Sequence, residues 1–203
     1  MKNSGVLTDG KVESAIRKAP RHEFVPMSLQ EKAYDDMPMP IMNNQTVSQP
    51  SVVSRMTEWL DVMESQKILE VGSGSGWQAA ILSYLVGQGK IYSIERHPEL
   101  VDFAKKNLDK LGINNVKVIL GDGSLGLPKE SPFDRIIITA ACEKIPPSLF
   151  EQLSTNGLLV APVGEFTQSL VLIKKTSEGV VEIKNEPGYV FVPLLGKTDD
   201  EKY

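Results

Sequence analysis

The chain has 203 residues, of which 41% are hydrophobic and 24% are charged. This composition is typical of an ordinary globular protein and excludes the disordered, collagen-like and fibrous classes. The 22 basic and 26 acidic residues give a net charge of -4, so no global positive field favours binding to nucleic acid. The length predicts a single domain, residues 1–203.

The single cysteine, Cys142, excludes an intramolecular disulfide and leaves no cysteine cluster for zinc, so we expect no metal. No run approaches the ~18 apolar residues of a membrane helix, and the first residues contain no apolar signal segment. We therefore expect a cytoplasmic monomer that binds neither membranes nor nucleic acid. The two histidines, His22 and His97, are interpreted as a loop residue and a helix-start residue outside the pocket.

The first part of the chain, residues 1–65, is predicted to be helical and to contain a long loop. Helices are expected near residues 12–19, 29–34 and 50–63, where apolar residues recur at helical spacing. Thr8 is the expected cap of the first helix and Ser48 of the third. The proline-punctuated residues 35–50 form a loop too long to be a simple connection, so we expect it to have a function.

In the second part, residues 66–164, apolar runs of strand length alternate with helical segments. Strands are expected at residues 67–71, 90–95, 116–120 and 133–139. Such unbroken apolar runs are typical of strands buried on both faces of a parallel sheet, and they predict a doubly wound, Rossmann-like α/β sandwich.

The last apolar runs, ending with one at residues 189–195, leave no room for helical crossovers. We therefore expect mostly antiparallel strands at the C-terminal end of the sheet, with residues 165–196 contacting substrate. Residues 197–203 are predicted to form a polar tail.

A glycine-rich turn, GSGSG at residues 72–76, follows the first parallel strand and opens a helix. This is where a doubly wound sheet binds a nucleotide, because the glycines let the backbone approach the ligand. The dinucleotide motif would need a glycine where Trp77 stands, which weakens the case for NAD. A glycine-rich turn alone is a weak signal, since an ordinary tight turn also explains it.

Two acidic residues fall where a bound nucleoside needs them. Glu95 ends the second strand about 20 residues after the glycines, where a carboxylate can accept from both ribose hydroxyls. Asp122 precedes Gly123 at the end of the third strand and can accept from an adenine amino group. Each could singly be a surface or turn residue. Together with the glycine turn they resemble the S-adenosylmethionine-dependent methyltransferases, with a dehydrogenase as the main alternative.

Further segments resemble one family of these enzymes, the protein-L-isoaspartate O-methyltransferases. They are RHEFVP at residues 21–26, QTVSQP at 45–50, PFD at 132–134, TAA at 139–141 and YVFVPL at 189–194. The resemblance extends from about residue 12 to residue 196. It implies methyl transfer from S-adenosyl-L-methionine, leaving S-adenosyl-L-homocysteine, to the free carboxylate of L-isoaspartyl residues in damaged proteins and peptides. The ester would then collapse through a succinimide toward normal aspartate.

The resemblance also implies roles for individual residues. Ser48 matches the family's active-site serine and is expected to orient the substrate carboxylate. The expected cofactor contacts are Gln45, Thr46, Val47, Gly72, Ser73, Gly74, Gly76, Glu95, Arg96, Asp122 and Gly123. The expected substrate-binding strand consists of Val190, Phe191, Val192 and Pro193. The chain departs from the family at residues 42–44 (Met-Asn-Asn), where a glycine and a histidine are common, and at Trp77, where tyrosine is common.

Three alternatives remain open on the sequence alone. One is an aspartate methyltransferase that tailors a ribosomally made peptide, and another is an RNA methyltransferase, which the acidic composition disfavours. The third is a non-catalytic cofactor-binding or peptide-binding protein. For the favoured reaction a carboxylate of pKa ~4 is already ionised at neutral pH, so no general base is required.

Overall fold

A mixed seven-stranded β-sheet organises the computed structural model, which describes residues 7–196. The strands are β1 (Met39–Pro40), β2 (Thr46–Val47), β3 (Lys67–Val71), β4 (Lys90–Glu95), β5 (Val116–Leu120), β6 (Phe133–Ile138), β7 (Leu153–Val163), β8 (Gln168–Thr176) and β9 (Gly179–Tyr189). The helices are α1 (Gly10–Lys18), α2 (Pro50–Leu60), α3 (Trp77–Val86), α4 (Pro98–Lys110) and α5 (Pro147–Gln152). The polar tail predicted at residues 197–203 lies outside the described residues.

The strand order is β5-β4-β3-β6-β7-β8-β9, and β1 and β2 form a separate small hairpin. Strands β3 to β7 are parallel, because a helix or a long connection returns the chain between successive members. Short turns join β7, β8 and β9, so these last pairings are antiparallel. The predicted doubly wound sandwich with antiparallel C-terminal strands is confirmed.

Apolar side chains on both faces of the parallel strands pack against helices. On one face Met56 of α2 and Leu82 of α3 contact a layer that includes Ile137 of β6. On the other face Leu149 of α5 lies in a layer with Ile138. All five side chains are at most 2% exposed, so the inner strands are buried on both sides, as continuous apolar sequences require.

The topology reverses between β3 and β6. From β3 the sheet grows in one direction through β4 and β5, and from β6 it grows in the other direction. At such a switch point the loops after adjacent strands diverge and leave a crevice at the carboxyl edge. The GSGSG turn follows β3 and Thr139 follows β6, so both lie at this crevice.

Two strand predictions are wrong in detail. Residues 116–120 were expected to be buried on both faces, but β5 is an edge strand and Leu120 is 56% exposed. The run at residues 189–195 was expected to be a strand, but β9 ends at Tyr189. After Tyr189 the chain contacts the backbone of Ala141, whose N–H donates to Val192 O (2.7 Å) and whose carbonyl accepts from Leu194 N (2.6 Å).

Both predicted helix caps are also wrong. Asp9 caps α1, its side chain accepting from Lys11 N (2.7 Å), whereas Thr8 N donates to Glu58 Oε1 (2.6 Å). Gln49 is the N-terminal cap residue of α2 and makes no side-chain cap bond there, so Ser48 is not a cap.

The backbone N–H of Ser51, in the first turn of α2, instead donates to a residue that is distant in sequence. It donates to Asp36 Oδ1 (2.8 Å), 15 residues earlier. Although burial alone would raise the pKa of Asp36, the hydrogen bonds from Ser51 and Gln49 lower it. A carboxylate at the start of a helix also interacts favourably with the helix dipole. The segment before the hairpin is thereby attached to α2.

The predicted second helix, near residues 29–34, is a 3-10 turn at Met27–Lys32. Within residues 7–196 no helix is both long and apolar enough to cross a bilayer.

Candidate active site

A cleft of about 780 Å³ opens at the carboxyl edge of the sheet, beside the switch point. Its size falls in the range of small-molecule sites. It brings together predicted residues from three separate parts of the chain: Gln45, Thr46, Val47, Ser48, Gly72, Ser73, Gly74, Glu95, Val190, Phe191 and Val192. An adjoining depression of about 50 Å³ is bordered by Arg96, Gly123 and Pro193, and again by Gln45, Gly72 and Glu95. Gly76 and Asp122 border neither.

The GSGSG turn forms the floor of the cleft. Gly72 has φ +98°, and a β-carbon there would lie 2.3 Å from Thr139 Oγ1, so only glycine fits. Thr139 Oγ1 donates to Gly72 O (2.7 Å), which holds the turn against the end of β6. At Gly74 a β-carbon would meet nothing closer than Thr46 O at 3.9 Å, so this backbone faces open space.

Gly76 has a different position from the one predicted for a cofactor contact. It precedes α3, and a β-carbon there would lie 3.3 Å from the backbone of Ala104 in α4. The need for glycine therefore comes from the packing of two helices and from the left-handed backbone at this residue (φ +86°). The sequence could not separate this packing glycine from those that face the cleft, because all three occur in one motif.

Glu95 ends β4 between the cleft and the smaller depression, and its carboxylate is held by backbone donors. Its Oε2 accepts from Gly74 N (3.0 Å), and its Oε1 accepts from Arg96 N (2.8 Å) and His97 N (3.0 Å). These bonds orient the carboxylate and tie the glycine turn to the following strand. His97 borders the smaller depression, contrary to the expectation that both histidines lie away from the pocket.

Asp122 does not face the cleft. Its Oδ1 accepts from Ser124 N (2.9 Å) and Ser124 Oγ (2.7 Å), which begins a 3-10 turn. The C-terminal segment covers it, since a β-carbon at Gly196 would lie 2.2 Å from the same oxygen. Gly123, the next residue, borders the smaller depression. The described conformation therefore presents the glycine, not the carboxylate, at this position.

Ser48 follows the β1–β2 hairpin and lies half-buried in the cleft wall. Its hydroxyl makes no hydrogen bond with any residue in the range 7–196. The turn of the hairpin places Asn43 (φ 57°) and Asn44 (φ 56°) in the left-handed region. Asparagine tolerates this region better than most residues. The two asparagines therefore suit the left-handed turn of the hairpin.

Residues after β9 also line the cleft. Phe191 N donates to Gln168 Oε1 (2.9 Å), and Val192 O accepts from Ala141 N (2.7 Å). Gln168 is 2% exposed, and its Nε2 also donates to Glu165 O (2.9 Å). The predicted substrate strand is thus not an open sheet edge but an irregular segment attached at two points. Sequence reasoning missed Gln168, which looks like an ordinary strand residue.

Comparison with known families now gives an assignment. The model of the family described as protein-L-isoaspartate(D-aspartate) O-methyltransferase matches residues 1–199. The chain belongs to this family. The family resemblance inferred from the motifs is therefore confirmed.

Several relatives named protein-L-isoaspartate O-methyltransferase are similar over nearly their full length. The protein of Methanococcoides burtonii is 48% identical over 94% of this chain and 94% of its own. That of Pyrococcus horikoshii is 47% identical over 97% of this chain and 90% of its own.

Solved structures agree with this assignment. One named protein-L-isoaspartate O-methyltransferase has a TM-score of 0.84 and 30% identity over 96% of this chain, which spans 63% of that protein. A Plasmodium falciparum protein solved with S-adenosyl-L-homocysteine shares the fold, with a TM-score of 0.85 and 24% identity over 97% of this chain and 95% of its own.

Beneath the glycine turn of this isoaspartate O-methyltransferase family member lies a buried polar chain that the sequence analysis missed. Ser73 Oγ lies 2.5 Å from Ser93 Oγ, which donates in turn to Glu70 Oε2. Glu70 is 0% exposed, and its Oε1 has no hydrogen-bond partner among residues 7–196. Burial raises the pKa of Glu70 to about 8, and the charge of Glu95 acts in the same direction, while the Ser93 bond opposes them.

The charges that border the family member's cleft are sparse. Of the described residues that line it, the acidic ones are Glu95 and Glu186, and none is lysine, arginine or histidine. Glu186 Oε1 accepts from Tyr189 Oη (2.6 Å), and Glu186 Oε2 lies 3.8 Å from Arg55 Nε. Burial, followed by the contact with Glu186, raises the pKa of Tyr189 to about 12. In the range 7–196 no group of three His, Cys, Asp or Glu side chains is arranged to hold a metal ion.

Proposed function

We propose that this protein transfers a methyl group from S-adenosyl-L-methionine to the free carboxylate of L-isoaspartyl residues in damaged proteins and peptides. The resulting ester would start repair through a succinimide. The observation that carries the proposal is one cleft bordered by the GSGSG turn, by Ser48 with its uncommitted hydroxyl, and by the segment after β9. Membership of the family supports the same activity.

The residues at one end of the cleft fit the cofactor. The backbone at Gly74 faces open space, so a ligand can approach it closely. The oriented carboxylate of Glu95 offers acceptors for ribose hydroxyls beside it. The smaller depression is bordered by Gly123 and by the apolar side chains of Ile94 and Leu194, which suit a flat ring. S-Adenosyl-L-methionine supplies the electrophilic methyl group.

Protein groups in the cleft have the task of alignment. A substrate carboxylate with a pKa of ~4 is ionised at neutral pH and needs no general base. The lining of the cleft agrees with this, because Glu95 is held by three backbone donors and no histidine is present. We assign Ser48 the role of donating a hydrogen bond that orients the carboxylate. Exclusion of water and correct orientation would then supply the rate enhancement.

The hairpin and the segment after β9 line the same cleft as Ser48 and together are proposed to hold the peptide. Val190 is 81% exposed and Phe191 is half-buried, so both can contact a bound chain. Gln45, Thr46 and Val47 are proposed to cover cofactor and substrate. A monomeric state, a single functional domain and a cytoplasmic location stay predictions from the sequence.

Methyl transfer to paired peptides tests the proposed function. The two peptides share one sequence but contain either L-isoaspartate or normal aspartate at one position, and labelled S-adenosyl-L-methionine reports transfer. We expect transfer to the isoaspartyl peptide alone. Transfer to the aspartyl peptide would indicate a peptide-tailoring enzyme. Absence of transfer to both, with the cofactor bound, would refute the proposal and make RNA the next acceptor to test.

The role of Ser48 is tested separately with Ser48→Ala. Loss of a hydrogen bond to a charged group costs about 1.5–3 kcal/mol, so we expect kcat to fall roughly 10–100-fold. Affinity for S-adenosyl-L-homocysteine should stay within about threefold of wild type, since Glu95 and the glycine turn are untouched. Ser131→Ala, which alters an exposed hydroxyl bonded to Pro128 O, is the control. Wild-type turnover in Ser48→Ala would contradict the assignment.

A further inference from the structure

Arg21, the first residue of the RHEFVP segment, is a buried cation to which the sequence analysis gave no role of its own. It begins the 3-10 turn Arg21–Phe24 after α1 and is 1% exposed. No carboxylate of residues 7–196 lies within ion-pair distance of its guanidinium. Burial lowers its pKa to about 10, while Asp36 and Asp35 oppose the shift, so it is charged at neutral pH.

Backbone carbonyl groups take the place of a counter-ion. Nη1 donates to Ala33 O (2.7 Å) and Asp35 O (3.3 Å), and Nη2 donates to Met37 O (2.8 Å). The segment that leads into the β1–β2 hairpin is therefore bound to this single side chain. Burial of a charge is unfavourable unless the group is hydrogen-bonded. Here carbonyl oxygens accept from both Nη groups, whereas Nε has no hydrogen-bond partner among residues 7–196.

Arg21 Nη2 also binds the segment that contains Ser48. Nη2 donates to Val47 O (3.2 Å) and Ser48 O (3.0 Å), the carbonyl groups of two residues that line the cleft. The guanidinium therefore connects the two sides of the hairpin, before β1 and after β2. Its planar donors contact carbonyl groups in several directions, which the single ammonium group of lysine cannot reproduce.

Arg21 is in turn fixed by the residue that follows the glycine turn. Its guanidinium carbon lies 5.2 Å from the ring centre of Trp77, which begins α3 and lines the cleft. Trp77 Nε1 donates to Ala19 O (2.9 Å), next to the Arg21 turn. The contact between Arg21 and Trp77 therefore connects the helix after the glycine turn with the segment that contains Ser48.

We propose that Arg21 is a positioning residue for methyl transfer: by holding the carbonyl groups of Val47 and Ser48, it sets the direction of the Ser48 hydroxyl in the cleft. This inference rests on the proposed function, in which Ser48 orients the substrate carboxylate. Arg21 itself does not line the cleft and does not touch substrate.

Arg135 provides a matched control. It is also a buried arginine, 7% exposed, and it donates to Leu60 O (2.7 Å) and Asp61 O (2.8 Å). It lies near the start of β6, at the edge of the sheet opposite the cleft. Arg21→Lys and Arg135→Lys each remove a buried network of donors to carbonyl groups, but only the first network includes Ser48.

The experiment measures thermal stability, steady-state kinetics, S-adenosyl-L-homocysteine affinity and amide hydrogen exchange in both variants. We expect Tm to fall in both. In Arg21→Lys we expect kcat to fall at least tenfold and the amides of residues 45–49 to exchange faster, with ligand affinity within threefold of wild type. In Arg135→Lys kcat and the exchange of residues 45–49 should stay within twofold of wild type. A kcat within twofold of wild type in Arg21→Lys, despite a lower Tm, would overturn the proposal.

Two further outcomes are decisive. If wild type methylates no isoaspartyl peptide, the proposed function fails, but exchange of residues 45–49 still reports whether Arg21 holds the segment, and unchanged exchange overturns this inference. If Arg21→Lys does not fold, NMR of the wild-type guanidinium groups replaces it. The Arg21 Nη signals should then shift on adding S-adenosyl-L-homocysteine and isoaspartyl peptide, while those of Arg135 stay constant. Unchanged Arg21 signals at saturation would refute the role.

Discussion

Replacing Glu70 by glutamine removes the one fully buried carboxyl group beneath the glycine turn. The amide has nearly the same shape, and its carbonyl can still accept from Ser93 Oγ, the donor to Glu70 in the native network. The variant therefore changes the titration of the site with little change in packing.

The contribution of Glu70 to the free energy of unfolding follows from its pKa, which burial chiefly raises from 4.5 to about 8. Between these values the folded protein keeps a proton that the unfolded chain has lost. The contribution to stability is therefore fully present below pH ~4.5, decreases as pH rises, and is lost above pH ~8. Each pH unit changes the free energy of unfolding by ~1.4 kcal/mol, so the whole window amounts to ~3–5 kcal/mol.

Urea denaturation of wild type and Glu70→Gln from pH 5 to pH 9 measures this contribution. The variant should gain stability relative to wild type with rising pH, by ~3–5 kcal/mol between the ends of the range. Glu143→Gln, which alters an exposed glutamate, controls for the general effect of losing a negative charge. If the curves of wild type and Glu70→Gln stay parallel within ~1 kcal/mol, Glu70 is ionised in the folded protein and the reasoning is wrong.

Three other predictions concern the cleft and its surroundings. Glu95→Gln removes acceptor capacity for Gly74 N. Because a hydrogen bond to a charged group contributes ~1.5–3 kcal/mol, the variant should bind S-adenosyl-L-homocysteine roughly 10–100-fold more weakly, as calorimetry can measure. Gln168→Met leaves Phe191 N without its partner and should raise the KM for isoaspartyl peptide about tenfold without changing cofactor affinity; an unchanged KM would contradict this. Cys142, 7% exposed and with its pKa raised by burial to about 12, should resist iodoacetamide at pH 8 until urea unfolds the protein, as mass spectrometry can show.

The parallel core could be predicted from the sequence because its signals are local. Runs such as residues 67–71 and 133–138 are apolar and bounded by turn residues, and a buried parallel strand needs nothing more. The glycine turn was found for the same reason, since Gly72 and its neighbours form a short motif in a fixed context. The edge position of β5 could not be found this way, because its exposure depends on which strands lie beside it.

The C-terminal segment shows how tertiary contacts override strand propensity. The residues after Tyr189 are rich in valine and phenylalanine, which favours a strand. Instead, Ala141 binds two backbone groups of the segment, Val192 O and Leu194 N, and Gln168 binds a third, Phe191 N. Pro193 lacks the N–H that a continuing ladder would need. The segment therefore leaves the sheet and crosses its carboxyl edge, where it borders both the cleft and the smaller depression.

The features that the sequence did not reveal have a common physical cause. Arg21, Asp36 and Gln168 are polar side chains that bind backbone groups of distant segments. Every residue has a backbone carbonyl and nearly every residue has an N–H, so such a partner leaves no trace in composition, spacing or motif. Arg17 and Arg21 look alike in the sequence, yet Arg17 forms an ion pair with Glu13 on an exposed helix surface while Arg21 holds the Ser48 segment. The chemistry of the cleft could therefore be predicted from its motifs, whereas the contacts that fix its geometry required the structure.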